Sequence, residues 1–198
     1  MLKLLFSLPK QLTIALSGGV DSIAVTDFLS KNHSLDCAFF HHGTDASEKA
    51  YQFVSVFCHE RNLPLTVAFL STNKPKELST EEFWRNERYK FLDSFDSVIT
   101  GHHLDDCIET YIFSSLHGTA KVIPRRRNNV LRPFLTTRKQ AFIDWCTTKS
   151  INWCHDSSND DTAYMRNYIR HTLLPHAMVI NPGLHTTVKK IVQQQQNV

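Results

Sequence analysis

The sequence predicts an α/β fold: a parallel, twisted sheet with helices on both faces, plus a small helical C-terminal extension. Three observations carry this expectation. Strand-length apolar stretches alternate four times with helix-length stretches whose apolar residues recur at three- to four-residue spacing. The connections between them are short, which suits right-handed crossovers between parallel strands. A chain of 198 residues that is 41% hydrophobic and 21% charged can bury a substantial core without disulfide staples.

The elements follow in order. Residues 11–16 (QLTIAL) read as a strand ending at Ser17-Gly18-Gly19, and residues 20–29 as a helix with Val20, Ile23, Ala24 and Phe28 at helical spacing. Residues 34–40 form a second strand, and 46–61 a helix with Ala50, Phe53, Val54 and Phe57 on one face. A third strand covers 64–70, and a helix over 79–92 opens on the capping signature Ser79-x-x-Glu82. A short strand at 97–100 precedes a helix at 104–116. Residues 121–133 are basic and turn-rich, 136–149 are helical with Phe142, Ile143 and Trp145 as core candidates, and 155–161 form a polar loop. A last helix, 164–174, is expected to stop at Pro175, and the polar tail 193–198 to fray.

Composition narrows the function classes. Six Gly and seven Pro exclude collagen-like or low-complexity architecture. No apolar run approaches the ~18 residues of a membrane-spanning helix. Residues 1–10 are broken by Ser7 and Pro9 and read as a mature N-terminus rather than a secretory signal. The five cysteines are scattered and form no C-x-x-C pair, which argues against a zinc knuckle, an iron–sulfur cluster or a disulfide framework. A reducing cytoplasm is the expected compartment. Residues 121–139 carry seven Lys or Arg and no acid, leaving −4 for the rest of a chain whose net charge is +3. Such a basic segment suggests a localised polyanion contact.

In a parallel α/β sheet, ligands sit beyond the carboxyl ends of the strands. Ser17-Gly18-Gly19-Val20-Asp21-Ser22 lies there, between a strand and a helix. Its glycines permit close backbone approach, and successive amides at a helix start form an anion nest. The loop has neither the Gly-Lys-[Ser/Thr] ending of a Walker loop nor the G-x-G-x-x-G pattern. Asp21 would repel phosphate unless it holds Mg²⁺ or serves the chemistry. On spacing alone, an ordinary tight turn with Asp21 as a capping acid remains an alternative.

Leu12–Ser22 (LTIALSGGVDS) resembles the pyrophosphate loop of the N-type ATP pyrophosphatases, whose members cleave ATP between the α- and β-phosphates. Three further segments resemble one family within that superfamily, tRNA(Ile)-lysidine synthase. Glu82-Phe83-Trp84-Arg85-Asn86-Glu87-Arg88-Tyr89 is similar to its E-x-x-R-x-x-R-Y helix. Gly101-His102-His103-Leu104-Asp105-Asp106-Cys107-Ile108-Glu109-Thr110 is similar to G-H-H-x-D-D-Q-x-E-T. Asp156-Ser157-Ser158-Asn159, with Tyr164-Met165-Arg166-Asn167-Tyr168-Ile169-Arg170 and Leu174-Pro175, is similar to D-x-S-N…Y-x-R-N-x-x-R…L-P. Arg132-Pro133-Phe134-Leu135 adds an R-P-[L/F]-L match. Two departures stand out: Thr44-Asp45 follows His42-Gly43 where the family has Leu-Arg, and Cys107 replaces Gln.

The resemblance implies an N-type ATP pyrophosphatase domain over 1–135 and a helical extension over 136–198 that completes the active site. It implies ATP and Mg²⁺ as cofactors, and as substrates free L-lysine and a tRNA(Ile) with a CAU anticodon. ATP contacts fall on Ser17, Gly18, Gly19, Val20, Asp21, Ser22, His42, Gly101 and His102. Asp21, Asp106, Arg88, Arg166 and Arg170 are the expected catalytic residues, and Asp21, Asp105 and Asp106 the expected metal ligands. Substrate or tRNA contacts fall on Glu82, Arg85, His103, Arg125, Arg126, Arg127, Arg132 and Asn167. Trp84 or Tyr89 would stack the splayed base. Relative to the family the chain reads as a short form lacking the usual C-terminal domains, with its oligomeric state open and a homodimer among the options. Alternatives are a base-thiolating adenylating enzyme that uses Cys107, and an inactive tRNA-binding homologue.

Overall fold

The structure, a computed structural model, describes residues 1–155, 162 and 165–195. The motif at Asp156–Asn159 and its companion Tyr164 lie outside the described residues. Six strands, β1 (Gln11–Ala15), β2 (Ser34–His41), β3 (Leu65–Phe69), β4 (Val98–Ile99), β5 (Arg126–Arg127) and β6 (Val130–Leu131), form one sheet in the order β3-β2-β1-β4-β6-β5. All neighbours are parallel except the edge pair β5–β6. The strand order reverses between β1 and β4, and this switch point places the ends of those two strands beside one another.

Helices α1 (Val20–Leu29), α2 (Asp45–Glu60), α3 (Thr80–Leu92), α4 (Leu104–Leu116) and α5 (Lys139–Thr148) flank the sheet. The period-2 alternation of the strands assigns the faces. Leu35, Cys37 and Phe39 of β2 share a core with Ile23 of α1, Val54 and Phe57 of α2 and Phe142 of α5. Ala38, one residue out of phase, joins Val98, Val130 and the α3 residues Tyr89 and Leu92 in a second core. Thr44 and Ser79 cap α2 and α3 by accepting the amides of Ser47 and Glu82 at 3.1 Å each.

Three features differ from expectation. Residues 126–131 form a hairpin rather than loop, because β6 completes the parallel sheet against β4. Pro175 does not end the last helix: α6 (Met165–Tyr168) runs through a π-helical turn, Ile169–Leu173, into α7 (Leu174–Ile180). There the Leu174 amide reaches Ile169 O five residues back, and Pro175 follows directly on this widened turn, a local departure from the regular ladder that accommodates a proline within a continuing helix. Finally, α8 (Leu184–Gln194) buries Leu184, Val188 and Val192 against Leu104, Cys107 and Ile108 of α4. Among the described residues, no helix is long and apolar enough to cross a membrane.

Candidate functional site

The loop after β1 and the segment after β4 meet at the switch point. Gly18 adopts φ +83°, a left-handed conformation, and a Cβ there would stand 3.3 Å from Val54 Cγ2. The Gly18 carbonyl accepts the Cys154 amide at 2.8 Å. Ser22 Oγ accepts the Ser17 amide at 3.2 Å and donates to Gly19 O at 3.0 Å, closing the loop on itself at the start of α1. Gly101 seals the junction: a Cβ there would lie 3.2 Å from the Asp21 carbonyl carbon and 3.3 Å from the Ser22 nitrogen.

His103 is buried where the two segments touch. Its amide donates to Asp106 Oδ2 at 2.9 Å, and its Nδ1 lies 3.3 Å from the Asp106 amide, a reciprocal cap on α4. Its Nε2 faces Asp21 Oδ1 at 3.6 Å. Burial works against a charged ring, but Asp106 and Asp21 outweigh it and raise the His103 pKa to about 9. In the charged form Nδ1 carries a proton and no longer accepts the Asp106 amide, and the ring is held instead by charge attraction to Asp106 Oδ2, 3.4 Å from Nδ1. Burial also opposes the Asp106 carboxylate, and His103, the His103 amide and Arg170 together outweigh it, holding it below its ordinary pKa. Beside them, burial pushes His102 down to about 3; its Nδ1 lies 2.8 Å from Thr100 Oγ1.

A cleft of about 600 Å³ opens from Ser17 across the ends of β1 and β2 to α3. Arg88, Arg166, Asn167 and Arg170 line its polar side, and Phe40, His42 and Trp84 its aromatic side. The His42 and Trp84 rings lie 5.2 Å apart, and burial followed by the Arg88 charge pushes His42 down to about 4. Arg170 reaches from the π turn to Glu109 of α4, with Nε–Oε1 2.6 Å and Nη2–Oε2 3.2 Å, and stands 3.7 Å from Asp106 Oδ1. Sequence reasoning left Glu109 out of the site. Its signal was a carboxylate set next to Ile108 inside an apolar helix face.

Several expected residues are placed elsewhere. Glu82 is exposed, and Glu81 lines the cleft instead. Asp105 is held between α4 and α5: its Oδ2 caps α5 through the Lys139 amide at 2.8 Å and lies 3.8 Å from His103 Nδ1, and its Oδ1 meets Arg138 at 3.4 Å and His185 at 3.6 Å. Both oxygens are committed, so Asp105 does not join Asp21 as a metal ligand. The basic segment is not one patch. Arg125 donates to the last carbonyls of α8, at 2.9 Å to Val192 and 2.6 Å to Gln193, and Arg126 donates to Asn128 O. Arg132 is only 2% exposed, so it cannot meet tRNA directly. Arg127 remains exposed beside α3. Cys107 is fully buried, and burial with Asp106 pushes its thiol up to about 12, which makes it unreactive.

Among the described residues, no group of three or more His, Cys, Asp or Glu side chains is arranged to hold a metal. Mg²⁺ carried by a nucleotide needs fewer protein ligands, because phosphate oxygens and water complete its shell. Asp21 Oδ1 fits that role: it is buried and has no hydrogen-bond partner.

A glycine-turned loop at the switch point of a parallel sheet, opening a helix beside a carboxylate-rich helix start, defines an α/β nucleotide-binding class of protein. The family model described as PP-loop domain matches residues 3–177, and the chain belongs to that family. It is similar to the tRNA(Ile)-lysidine synthase of Vibrio vulnificus, 33% identical over 91% of this chain and 45% of that protein. It is also similar to those of Thermosipho africanus, at 31% identity and 47% coverage of the relative, and Nitratidesulfovibrio vulgaris, at 32% and 58%. The chain thus spans about half the length of these relatives. An NH3-dependent NAD synthetase structure from Campylobacter jejuni superposes over 97% of this chain and 90% of that one, with a TM-score of 0.54 and 12% identity, a likeness of fold.

Proposed function

We propose that this chain uses ATP to adenylate the wobble cytidine of a tRNA(Ile) with a CAU anticodon and then joins free lysine to it, giving lysidine, AMP and pyrophosphate. The observation that carries the reading is the meeting of the two strand-end segments, with Asp21 Oδ1 buried, without a hydrogen bond, and 3.6 Å from His103 Nε2. The relatives' name, tRNA(Ile)-lysidine synthase, supports the substrate class.

In this reading the amides of residues 17–22 receive the phosphates of ATP, and the aromatic side of the cleft receives bases. The cytidine C2 oxygen attacks the α-phosphorus, the bond to the bridging oxygen breaks, and pyrophosphate leaves. The ε-amine of lysine then adds at C2 and loses a proton, and AMP departs with the former C2 oxygen. Arg88, Arg166 and Arg170 supply fixed positive charge to the cleft. Asp106, held ionised by His103, orients the incoming ammonium and is too weak a base to remove its proton readily. Asp21 would hold the Mg²⁺ that accompanies the nucleotide, which would neutralise charge on the phosphates. Residues 136–198 act as an extension that brings Arg166, Asn167 and Arg170 to the cleft. The five free thiols suit a reducing cytoplasm. The inert Cys107 speaks against base thiolation.

The test incubates the chain with ATP, Mg²⁺, labelled lysine and a CAU-anticodon tRNA(Ile) transcript. Label enters RNA only with ATP present, and without lysine the reaction stops at adenylated RNA with pyrophosphate released. Label incorporated without ATP, or no label in any arm, overturns the reading.

A further inference from the structure

Helix α3 lends one flank to the nucleotide cleft and the opposite flank to a second groove of about 460 Å³, lined by Thr72, Asn73, Asn86, Tyr89, Lys90 and Arg127. Between them, four guanidinium groups converge on one phenol. The central carbons of the Arg127, Arg85 and Arg88 guanidiniums lie 4.7, 5.0 and 5.8 Å from the Tyr89 ring centroid. The fourth, Arg132, donates from Nη2 to the Tyr89 hydroxyl at 3.1 Å.

Among the described residues, no carboxylate pairs with any of these four arginines. Glu87, in the same groove, is taken by Lys90 at 2.6 Å and Thr72 at 3.2 Å. Arg132 Nε and Arg88 Nε are buried without a partner. A π face gives each cation some compensation, but one ring does not offset four like charges held together. Burial lowers the pKa of both Arg85 and Arg88; Tyr89 opposes the shift, and neighbouring cations, Arg166 and Arg132 among them, add to it. The arrangement is complete only with an anion.

We propose that the Tyr89 arginine cluster is a second phosphate site, distinct from the loop after β1, that grips a backbone phosphate of the RNA whose base enters the cleft. Arg127 and Arg85 are the direct contacts, being exposed and half-buried respectively. The buried Arg132 is a positioning residue that fixes Tyr89 from beneath. This deepens the RNA-acting reading above and rests on it. The groove lies across α3 from Trp84, which lines the cleft.

The test compares the wild-type chain with Arg127→Gln and Arg85→Gln, measuring binding of the CAU-anticodon transcript across a salt series, with parallel titrations of ATP and of inorganic pyrophosphate. Each variant is expected to bind RNA several-fold more weakly and to lower the slope of log affinity against log salt by about one unit. Arg127→Gln is expected to leave the ATP curve in place. An unchanged RNA slope and affinity, a wild-type chain that binds no RNA, or a loss confined to pyrophosphate would each overturn the site. RNA binding through these arginines without lysine transfer refutes the proposed reaction and leaves the site standing. Lysine transfer with an unaltered salt slope refutes the site alone.

Discussion

Arg170 and Glu109 stand 61 residues apart in sequence and share two hydrogen bonds, 2.6 and 3.2 Å long. Glu109 is 2% exposed, so its carboxylate is tolerable only because the guanidinium fork meets it. Burial pushes the Glu109 carboxyl up, Arg170 opposes that shift, and Glu109 in turn raises the Arg170 pKa against burial. The pair ties the π turn to α4 and sets Arg170 3.7 Å from Asp106.

Breaking this pair from one side strands a buried charge. Arg170→Ala is expected to destabilise the fold by about 3 kcal/mol, and Glu109→Gln by less, because the amide still accepts a hydrogen bond. Urea denaturation midpoints measure the difference. Equal, small losses would show the pair to be solvated.

The two loop glycines should fail differently. Gly18→Ala places a Cβ at φ +83° and costs about 1–2 kcal/mol of folding stability. Gly101→Ala needs no unusual φ, but its Cβ meets backbone atoms of Asp21 and Ser22 at 3.2–3.3 Å. It is expected to move the phosphate loop and weaken ATP binding more than it lowers Tm. Calorimetric titration with ATP, beside thermal melts, separates the two effects.

Stability should peak near neutral pH. His42 and His102 have folded pKa values of about 4 and about 3, below the unfolded value of about 6.5. Their contributions are present above pH 6.5 and are lost as pH falls toward 3, since the unfolded chain takes up the protons first. His103, raised to about 9, works in the other direction: its contribution is full below pH 6.5 and is lost as pH rises through 9. Unfolding free energies at pH 5, 7 and 9 check this, and His42→Gln should flatten the acid limb.

Helix α8 is held by few side chains. Val188 is fully buried against α4, and Val188→Asp is expected to detach the helix and lower Tm by several degrees. Arg125→Ala, which removes the donors to Val192 and Gln193, should cost about 1 kcal/mol. Hydrogen exchange across residues 184–194 reports both changes.

Replacing Cys107 with Ala should leave lysine incorporation intact, because a thiol held at about 12 takes no part in chemistry at neutral pH. Loss of incorporation with an unchanged Tm would instead revive the thiolation alternative.

Local patterns made much of this molecule readable. The strand before Ser17 and the helix after it, the cap at Ser79, and the strand–helix alternation all depend on neighbours within four residues. The β5–β6 hairpin did not show, because two-residue strands such as Arg126–Arg127 carry no periodicity. Helix α8 was obscured by its polar end, although Leu184, Val188 and Val192 are spaced to share one face. Pro175 misled because the π turn at Ile169–Leu173 lets the helix continue past it.

The candidate site divides along the same line. That a glycine loop closes β1, that an acidic helix start closes β4, and that both fall at one edge of a parallel sheet could be read from residue order, since these follow from chain-local spacing and the handedness of crossovers. Folding alone settles that Asp105 caps α5 while Asp21 Oδ1 stands beside His103 without a hydrogen bond, that Arg132 goes inside while Arg127 stays out, and that Arg170 takes Glu109. Those outcomes depend on which distant charges compete for the same buried space, and that competition exists only once the chain has folded.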